Sequence, residues 1–274
     1  MQIAIQGFEG CFHQIAAQHY FGQDAGMLSC ATFGELIRKV KSGEAGGGVM
    51  AIENSIAGSI LPNYNLLQKS GLCVTGEIFL KIRQHLMVLP GQTLDDIREV
   101  HSHPMALLQC MTFLEKHAQW RLVETEDTAL SARHLRQRRA THTAAIASKL
   151  AADLFDLEIV APNIHTEKKN YTRFLVLRKT EDAVKEDHPD KSSVYFHTAN
   201  THGSLARVLS RIADEGVNLS KLQSFPIPGS EWKYYFHADM EFQSLDQFEK
   251  VVRAIRPMTE SMQILGIYKK GVTV

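Results

Sequence analysis

Glu53, Asn54 and Ser55 place three polar side chains directly after an apolar segment, residues 49–52, that predicts a buried strand. Small ligands in open α/β sheets bind at the carboxyl ends of strands, so these residues are candidate ligand contacts. The same three types also close turns through Asx or serine hydrogen bonds. The spacing alone favours neither interpretation over the other.

Two predicted helix starts offer groups that suit an anion. His103 precedes Pro104, which fits the first position of an apolar helix, and the free N–H groups there suit a carboxylate. Asp127 predicts the cap of the next helix, and Thr128 behind it could turn its hydroxyl toward a ligand. With 13 histidines in the chain, an ordinary structural role for any one of them is favoured.

The segment Asn170-Tyr171-Thr172-Arg173-Phe174 joins a polar pair to an apolar strand. Side chains alternate along a strand, so Thr172 and Phe174 share one face and Arg173 lies on the other. From residue types alone, an edge strand with a surface arginine is narrowly favoured over a functional segment.

Other suggestive patterns predict structure rather than chemistry. The Gly7-Phe8-Glu9-Gly10 turn lacks the third glycine of a dinucleotide site, although its backbone amides could bind a small anion. The His101-x-His103 pair has no third ligand at a usual spacing, so no metal site is expected. The basic run 133–139 has no interleaved aromatics and predicts a solvated helix face.

Composition excludes several classes of protein. The 274 residues carry 30 Lys+Arg against 30 Asp+Glu, a formal net charge of zero, which argues against a nucleic-acid partner. The four cysteines form no C-x-x-C pair and suit a reducing compartment. No apolar run reaches membrane-spanning length and no signal peptide is recognisable, so we expect a cytoplasmic protein with no membrane partner.

The first two thirds of the chain alternate strand-like and helix-like patterns, which predicts an α/β fold of two lobes. The predicted strands are residues 3–6, 49–52, 72–78, 86–89 and 172–177. The predicted helices are residues 14–21, 33–41, 63–69, 104–117, 129–138 and 144–155. A charged segment with one proline, residues 179–192, has linker composition and predicts a domain boundary.

After that segment the pattern predicts a ferredoxin-like βαββαβ sandwich. Its predicted strands are residues 193–197, 217–224, 232–240 and 262–268. Its predicted helices carry the apolar stripes Leu205, Val208, Leu209, Ile212 and Leu245, Phe248, Val252, Ile255. The tail, residues 269–274, is expected to be mobile.

Taken in order, these pieces resemble a bacterial prephenate dehydratase with a C-terminal ACT regulatory domain. The resemblance covers nearly the whole chain. The motifs that carry it are Ile52-Glu53-Asn54-Ser55 with Gly58, Ser102-His103-Pro104 with Gln109-Cys110, Asp127-Thr128-Ala129, Ala144-Ala145-Ile146-Ala147, Asn163-Ile164 and Asn170-x-Thr172-Arg173-Phe174.

The resemblance implies a catalytic domain over residues 1–180, whose two lobes resemble periplasmic binding proteins, and an ACT domain over 193–270. It implies that prephenate loses carbon dioxide and water to give phenylpyruvate, without cofactor or metal. Thr172 is regarded in that family as essential, and Arg173 could add positive charge. The implied substrate contacts are Glu53, Asn54, Ser55, His103, Thr128 and Phe174.

For the second domain the resemblance implies L-phenylalanine as effector and a homodimer or homotetramer. The effector residues it implies are Gly203, Ser204, Leu205, Asn218, Gln223 and Ser224. The chain departs from the family where Cys11 and His13 replace two hydroxyl residues, and where Gln223 and Phe225 replace a glutamate and an arginine.

Two other functions remain open at this stage. One is a dehydratase acting on arogenate, and the other is a non-catalytic amino-acid-sensing protein. The length of the chain predicts that it is not a bifunctional enzyme with a fused chorismate mutase.

Overall fold

The computed structural model describes residues 1–183, 186–227, 229 and 233–274. They divide into two compact units. The N-terminal unit comprises Met1–Ile60, Ile78–Phe174 and Thr273–Val274, and the C-terminal unit comprises Leu61–Glu77 and Leu175–Val272.

The strands in chain order are β1 (Gln2–Gln6), β2 (Gly26–Cys30), β3 (Gly47–Asn54), β4 (Gly58–Ser59), β5 (Cys73–Lys81), β6 (His85–Val88), β7 (Glu99–Ser102), β8 (Arg121–Glu124), β9 (Thr143–Ala147), β10 (Glu158–Ala161), β11 (Tyr171–Arg178), β12 (Lys191–His197), β13 (Asn218–Pro226), β14 (Tyr234–Glu241) and β15 (Ser261–Tyr268). The α-helices are α1 (Phe12–Phe21), α2 (Phe33–Ser42), α3 (Leu61–Ser70), α4 (Pro104–Gln109), α5 (Met111–Leu114), α6 (Thr128–Arg138), α7 (Lys149–Leu154), α8 (Ser204–Asp214) and α9 (Leu245–Ile255).

Most of the N-terminal unit is built from two sheets with helices, which confirms the predicted pair of α/β lobes. The first has the strand order β2-β1-β3-β11-β5, with β4 paired to β3, and the second has the order β10-β6-β9-β7-β8. Strands β1, β2 and β3 run parallel, and so do β7, β8 and β9, whereas β6 is antiparallel to its neighbours. The sheets are therefore mixed rather than wholly parallel.

The prediction of a single helix over residues 144–155 is wrong. Residues 144–147 lie in β9, the central strand of the second sheet, and all four are completely buried. Burial between two neighbouring strands outweighs the helix propensity of alanine. The helix that follows is the short α7, whose first turn is capped by the Ser148 hydroxyl accepting from Ala151 N at 3.0 Å.

The predicted helix over residues 104–117 is also divided. It breaks at Cys110, which is buried and has φ −105° and ψ 6°, so that α4, α5 and a 3₁₀ turn follow one another. The sequence prediction also missed five short strands, β2, β4, β7, β8 and β10.

The C-terminal unit contains the predicted βαββαβ arrangement as a four-stranded antiparallel sheet of order β13-β14-β12-β15. One face is covered by α8 and α9, which bury Val208, Ile212, Phe248 and Val252 against it. The predicted strand 232–240 begins at Tyr234 in the structure, and Trp232 lies outside the described residues.

Helix α3 covers buried residues on the other side of this sheet. Its Tyr64 is completely buried, with its ring centroid 4.8 Å from that of His237 and 5.4 Å from that of Phe225. The Tyr195 hydroxyl donates to the Tyr64 carbonyl at 2.6 Å, and the Tyr235 hydroxyl donates to Asn65 Oδ1 at 2.7 Å. The chain therefore contributes a helix from its first third to the C-terminal unit.

The predicted linker 179–192 is not wholly a linker. Residues 184 and 185 lie outside the described residues, but Lys191 and Ser192 belong to β12 and are buried. Lys191 Nζ donates to Glu77 Oε1 at 2.9 Å, and the exposed fractions of the two side chains are 2% and 0%. The linker prediction failed at Lys191 because it took a charged side chain as a sign of exposed chain. Here the charge is buried against a carboxylate.

The tail is ordered, contrary to the expectation for residues 269–274. Gly271 N donates to Glu77 Oε1 at 3.2 Å within the C-terminal unit. In the N-terminal unit Thr273 pairs with Phe79, and Val274 N donates to the Phe79 carbonyl at 2.9 Å. The tail is held by backbone pairing, which its composition did not indicate.

Gly10 lies in the turn between β1 and α1 and packs against the start of α7. Its φ is +89°, a Cβ atom there would lie 3.0 Å from Ala151 Cα, and its carbonyl accepts from the Ser148 hydroxyl at 2.7 Å. We expect Gly10→Ala to lower the free energy of unfolding by about 1–3 kcal/mol, because it combines a strained φ with a backbone contact.

Urea unfolding of Gly10→Ala and Gly22→Ala measures the difference. Gly22 has a similar φ of +93° but no atom within 4 Å of the added Cβ. Equal losses in the two variants would show that the contact with Ala151 adds nothing.

Candidate active site

A cleft of about 260 Å³ lies in the N-terminal unit, where the carboxyl end of β3 meets the start of β11 and three helix starts. We call this cavity the cleft. It is lined by Gln6, Cys11, Phe12, His13, Ala51, Asn54, Ile60, Ile82, Gln84, His103, Met105, Ala106, Gln109, Asp127, Thr128, Thr172 and Phe174.

The Thr172 hydroxyl, which the sequence prediction named, is a buried polar group of the cleft. Thr172 is 9% exposed, and its Oγ1 accepts from Asn54 Nδ2 at 3.0 Å. Among the described residues the hydroxyl donates to no protein acceptor. Its hydrogen is therefore available to an oxygen atom of a ligand in the cleft.

The orientation of the Asn54 amide is fixed by its own turn. Asn54 Oδ1 accepts from Ile56 N at 3.0 Å and from Ala57 N at 2.9 Å. The NH₂ group must then face β11, where Asn170 Oδ1 lies at 2.8 Å, Thr172 Oγ1 at 3.0 Å and the Tyr171 carbonyl at 3.2 Å. The predicted turn at this residue is therefore present, and the other end of the amide holds β11 next to Thr172.

Two amides that the sequence prediction did not assign to the site extend this network. Asn170 is completely buried, and its Nδ2 donates to Gln109 Oε1 at 3.0 Å. Gln109 ends α4 and lines the cleft from the second lobe. Asn170 stands at the head of β11 in the same polar pair that marked Thr172, so a signal for it was present. Gln109 belongs to a motif of the resemblance, but its residue type gives no signal for a site, since helix ends are often polar.

Arg173 does not line the cleft. It is 5% exposed, and its guanidinium lies 5.9 Å from the centroid of the Phe79 ring. Thr172 and Phe174, on either side of it, both line the cleft. The strand alternation therefore places Arg173 on the opposite face, and its predicted catalytic role is not supported by this position.

Glu53 and Ser55, two of the predicted substrate contacts, are likewise not among the residues that line the cleft. Ser55 Oγ donates to the Lys169 carbonyl at 3.1 Å and accepts from Tyr171 N at 2.9 Å. Glu53 pairs with Ser59 in the antiparallel β3–β4 ladder. Ser55 thus fastens the turn after β3 to β11, next to Thr172.

His103, Thr128 and Phe174 do line the cleft. His103 is the N-cap of α4, and its Nδ1 accepts from Met105 N at 3.2 Å. Asp127 caps α6 by accepting from Leu130 N at 2.8 Å, which leaves Thr128 at the first helical position. Burial raises the pKa of the Asp127 carboxyl, and the Leu130 and Ala129 amides partly offset that rise.

The first turn brings Cys11 and His13 to the cleft. Burial, followed by the charge of Asp127, raises the pKa of the Cys11 thiol to about 12, so little thiolate exists at neutral pH. Burial lowers the pKa of His13 to about 3, so its ring is neutral. Its Nε2 accepts from Ala51 N at 3.4 Å, and its ring meets Phe174 edge-on at 5.0 Å.

The depressed pKa of His13 predicts a pH-dependent stability. Between pH 6.5 and about pH 3 the unfolded chain binds a proton on this ring that the folded chain does not. We therefore expect the free energy of unfolding to fall as pH drops below 6.5, and His13→Gln to weaken that fall.

Urea unfolding at about pH 7 and about pH 4.5 tests this. The control is His19→Gln, in the exposed part of the same helix. A wild-type and a His13→Gln protein with the same pH dependence would rule out this contribution from His13.

No lysine or arginine is among the described residues that line the cleft. An anion there must be met by neutral donors and by backbone amides. Helix α1 begins at this cavity, and the side chain of its N-cap residue, Cys11, makes no capping hydrogen bond, so first-turn amides are available to a ligand carboxylate. The described residues hold no group of three side chains suited to a metal ion.

The family model of prephenate dehydratase matches residues 3–182. This chain belongs to the prephenate dehydratase family. The bifunctional chorismate mutase/prephenate dehydratase of Enterobacter agglomerans is 31% identical over 273 residues, which are 97% of this chain and 70% of that protein. None of the helices in the described residues is long and apolar enough to span a membrane.

Two solved structures extend the similarity of this prephenate dehydratase family member to its whole length. The prephenate dehydratase of Arthrobacter aurescens in complex with L-Phe has a TM-score of 0.88 and 25% identity, covering 98% of this chain and 90% of that one. GqqA, described as a novel type of quorum quenching acylase, has a TM-score of 0.89 and 30% identity, covering 98% of both chains.

The predicted effector residues fall into two groups in the C-terminal unit. Gly203, Ser204 and Leu205 line a cavity of about 390 Å³ at the start of α8, together with Tyr234 and Phe236. Asn218, Gln223 and Ser224 lie on β13, an edge strand, and do not line it. The neighbouring Phe225 is buried against Tyr64 of α3, so it is not open to an effector.

Proposed function

We propose that this chain converts prephenate to phenylpyruvate, with loss of carbon dioxide and water, as a step of L-phenylalanine biosynthesis. The observation that carries the proposal is the Thr172 hydroxyl, which accepts from Asn54 Nδ2 and keeps its own hydrogen for a ligand. The family membership supplies the reaction class.

The reaction requires little from the protein beyond orientation and hydrogen bonding. The ring carboxylate leaves as carbon dioxide and its bonding electrons enter the ring. The hydroxyl on the opposite carbon leaves with the C–O electron pair and takes a proton from solvent to become water. Thr172 stabilises the charge that develops on this oxygen through a hydrogen bond, since a threonine hydroxyl is a very weak acid. The driving force is aromatisation of the ring.

The amide chain Gln109–Asn170–Asn54 holds Thr172 in place from both lobes. The first-turn amides of α1 suit one substrate carboxylate, and the start of α6 at Thr128 offers a further donor. His103 and neutral His13 add ring N–H or acceptor groups along the wall. Arg173 does not contact the substrate in this arrangement, because it does not line the cleft.

The test is incubation of the purified chain with prephenate while formation of phenylpyruvate is followed. A sample without protein accounts for spontaneous aromatisation, and Thr172→Val accounts for contaminating enzyme. Turnover equal to that of the variant would overturn the proposal.

Arogenate is the second candidate substrate, because one carboxyl group, that of Asp127, lines the cleft. Arogenate carries an ammonium group where prephenate has a keto group, and a carboxylate favours an ammonium. The raised pKa of Asp127 weakens this attraction, so prephenate is our first choice. The ratio of kcat/KM for the two substrates, in the wild type and in Asp127→Asn, decides between them.

The similarity to an acylase does not lead us to propose amide hydrolysis. An acylase needs an activated nucleophile. The thiol that lines the cleft, that of Cys11, has a pKa raised to about 12. The His13 ring uses Nε2 to accept from Ala51 N rather than to activate a thiol. Release of a fatty acid from an N-acylated amino compound by the purified chain would reverse this choice.

We further propose that the ferredoxin-like part, residues 193–270, is an ACT domain that binds L-phenylalanine and inhibits residues 1–180. The cavity at Gly203 supports this, since the glycine has φ +74° and the α8 amides begin beside it. The edge strands β13 and β15 expose Leu222 and Ile264, which favours pairing with a second copy. Asn218, Gln223 and Ser224 would then come from the partner.

Calorimetry with L-phenylalanine, combined with light scattering, tests this regulation. We expect heat of binding, a dimer or tetramer, and a lower rate of phenylpyruvate formation. If millimolar L-phenylalanine gives no heat and leaves the activity unchanged, the domain does not regulate the enzyme and serves assembly only.

A further inference from the structure

A second cavity of about 370 Å³ lies in the N-terminal unit on the reverse side of the residues that form the cleft. Along residues 81–85 the side chains alternate, since Ile82 and Gln84 line the cleft while Lys81, Arg83 and His85 line the second cavity. The alternation therefore brings three nitrogen-bearing side chains to the second cavity.

His85 supplies a buried hydrogen-bond donor. It is 7% exposed, and its Nδ1 accepts from Asn163 N at 3.4 Å, so the proton of the neutral ring is on Nε2. Burial and the nearby His165, Arg83 and Lys149 lower the pKa of His85, which agrees with a neutral ring in positive surroundings. Nε2 has no protein partner among the described residues.

Lys81 and Arg83 supply positive charge. Neither forms an ion pair with a described residue, whereas Lys149, also at this cavity, is held by Asp153 at 2.7 Å. No aspartate or glutamate is among the described residues that line the cavity, and the tail residues Thr273 and Val274 complete its polar wall together with Ser148 and Asn163. Two cations that form no ion pair, beside a neutral donor, favour an anion.

The rest of the wall is largely apolar. Phe12, Ile15, Leu80 and Leu150 line it, and Tyr171 contributes a ring. The volume falls at the lower end of the range for small-molecule sites. Inorganic anions would leave this apolar surface unused.

We propose that the second cavity binds a small organic carboxylate with an apolar body. The carboxylate meets Lys81, Arg83 and His85 Nε2, and the body lies against Phe12 and Ile15. This site is separate from the cleft and does not depend on the reaction assigned to it.

Ligand binding there would reach the cleft through shared residues. Phe12 lines both cavities, and Tyr171 at the second cavity is adjacent in β11 to Thr172 at the cleft. A carboxylate in the second cavity is therefore expected to alter turnover without competing with the substrate.

Calorimetric titration of the full chain with phenylacetate tests the site. We expect binding in the millimolar range or tighter, at least tenfold tighter than acetate because of the apolar body. Arg83→Gln should weaken phenylacetate at least tenfold, since a hydrogen bond to a charged group is lost. Arg83 is exposed, so this variant should fold, and its melting temperature confirms that.

Lys116→Gln is the matched control, because it removes one positive charge from an exposed position of the same unit that lines neither cavity. No heat from phenylacetate, or equal affinities in Arg83→Gln and Lys116→Gln, would overturn the proposal. Tighter binding of inorganic phosphate than of phenylacetate would also overturn it. The same holds if Thr172→Ala, a change in the cleft, abolishes phenylacetate binding while Arg83→Gln does not. Prephenate turnover is measured separately, so a failure here is distinguishable from a failure of the proposed reaction.

Discussion

Thr172→Ala is expected to lower kcat for prephenate by about 10²- to 10⁴-fold, the usual contribution of a positioned donor at the atom where charge develops. The hydroxyl sits at the bottom of the cleft, 9% exposed, and Asn54 Nδ2 occupies its acceptor side. Alanine leaves the departing oxygen without that donor. Initial rates at saturating prephenate measure the change.

Two further substitutions separate chemistry from packing. Thr172→Ser keeps the hydroxyl and should retain more activity than Thr172→Ala, whereas Thr172→Val keeps the shape and should be as slow. An active Thr172→Val protein would remove the hydroxyl from the mechanism. Arg173→Ala is expected to change kcat much less, because its guanidinium lies by Phe79 rather than in the cleft.

Lys191→Met is expected to lower the free energy of unfolding by about 3–5 kcal/mol, the usual loss when one partner of a buried ion pair is removed. Glu77 would lose its lysine partner in a site that is 0% exposed, with the Gly271 amide as a remaining donor. Urea unfolding monitored by circular dichroism measures the loss.

The control for this change is an exposed pair of the same kind. Lys149→Met breaks the contact with Asp153, where both side chains are more than half exposed, and should change stability by about 0.5 kcal/mol or less. The double variant Lys191→Met, Glu77→Leu should regain part of the loss, since Glu77 is no longer left buried without its lysine, and Glu241, the second carboxylate near Lys191, keeps its contact with Lys270. A double variant less stable than Lys191→Met would contradict this account of the pair.

The features of the site that could be predicted are those that depend on residues close together in the sequence. The period of two in β11 was enough to separate Thr172 and Phe174 from Arg173. The turn after β3 could be assigned from Asn54 and Ser55, but whether they also faced a ligand could not. That question depends on β11, more than a hundred residues away.

The parts that could not be predicted depend on distant partners. Ala144–Ala147 forms a strand because β6 and β7 flank it, although alanine favours a helix. Lys191 looked solvated because Glu77, its partner, lies far back in the chain. Gln109 entered the site through a contact with Asn170 that no local pattern contains.

Helix α3 also constrains the order in which the chain can fold during synthesis. Tyr64 leaves the ribosome well before Tyr195, Phe225 and His237, the residues that bury it. At 5–20 residues per second, this delay is about 7–35 seconds. During that interval the nascent chain carries this helix without the sheet residues that bury Tyr64, and the exposed apolar ring is a natural target for a chaperone. A chain shortened at residue 180 would keep this helix permanently without its partners, so its recovery in soluble form should be poorer than that of the full chain.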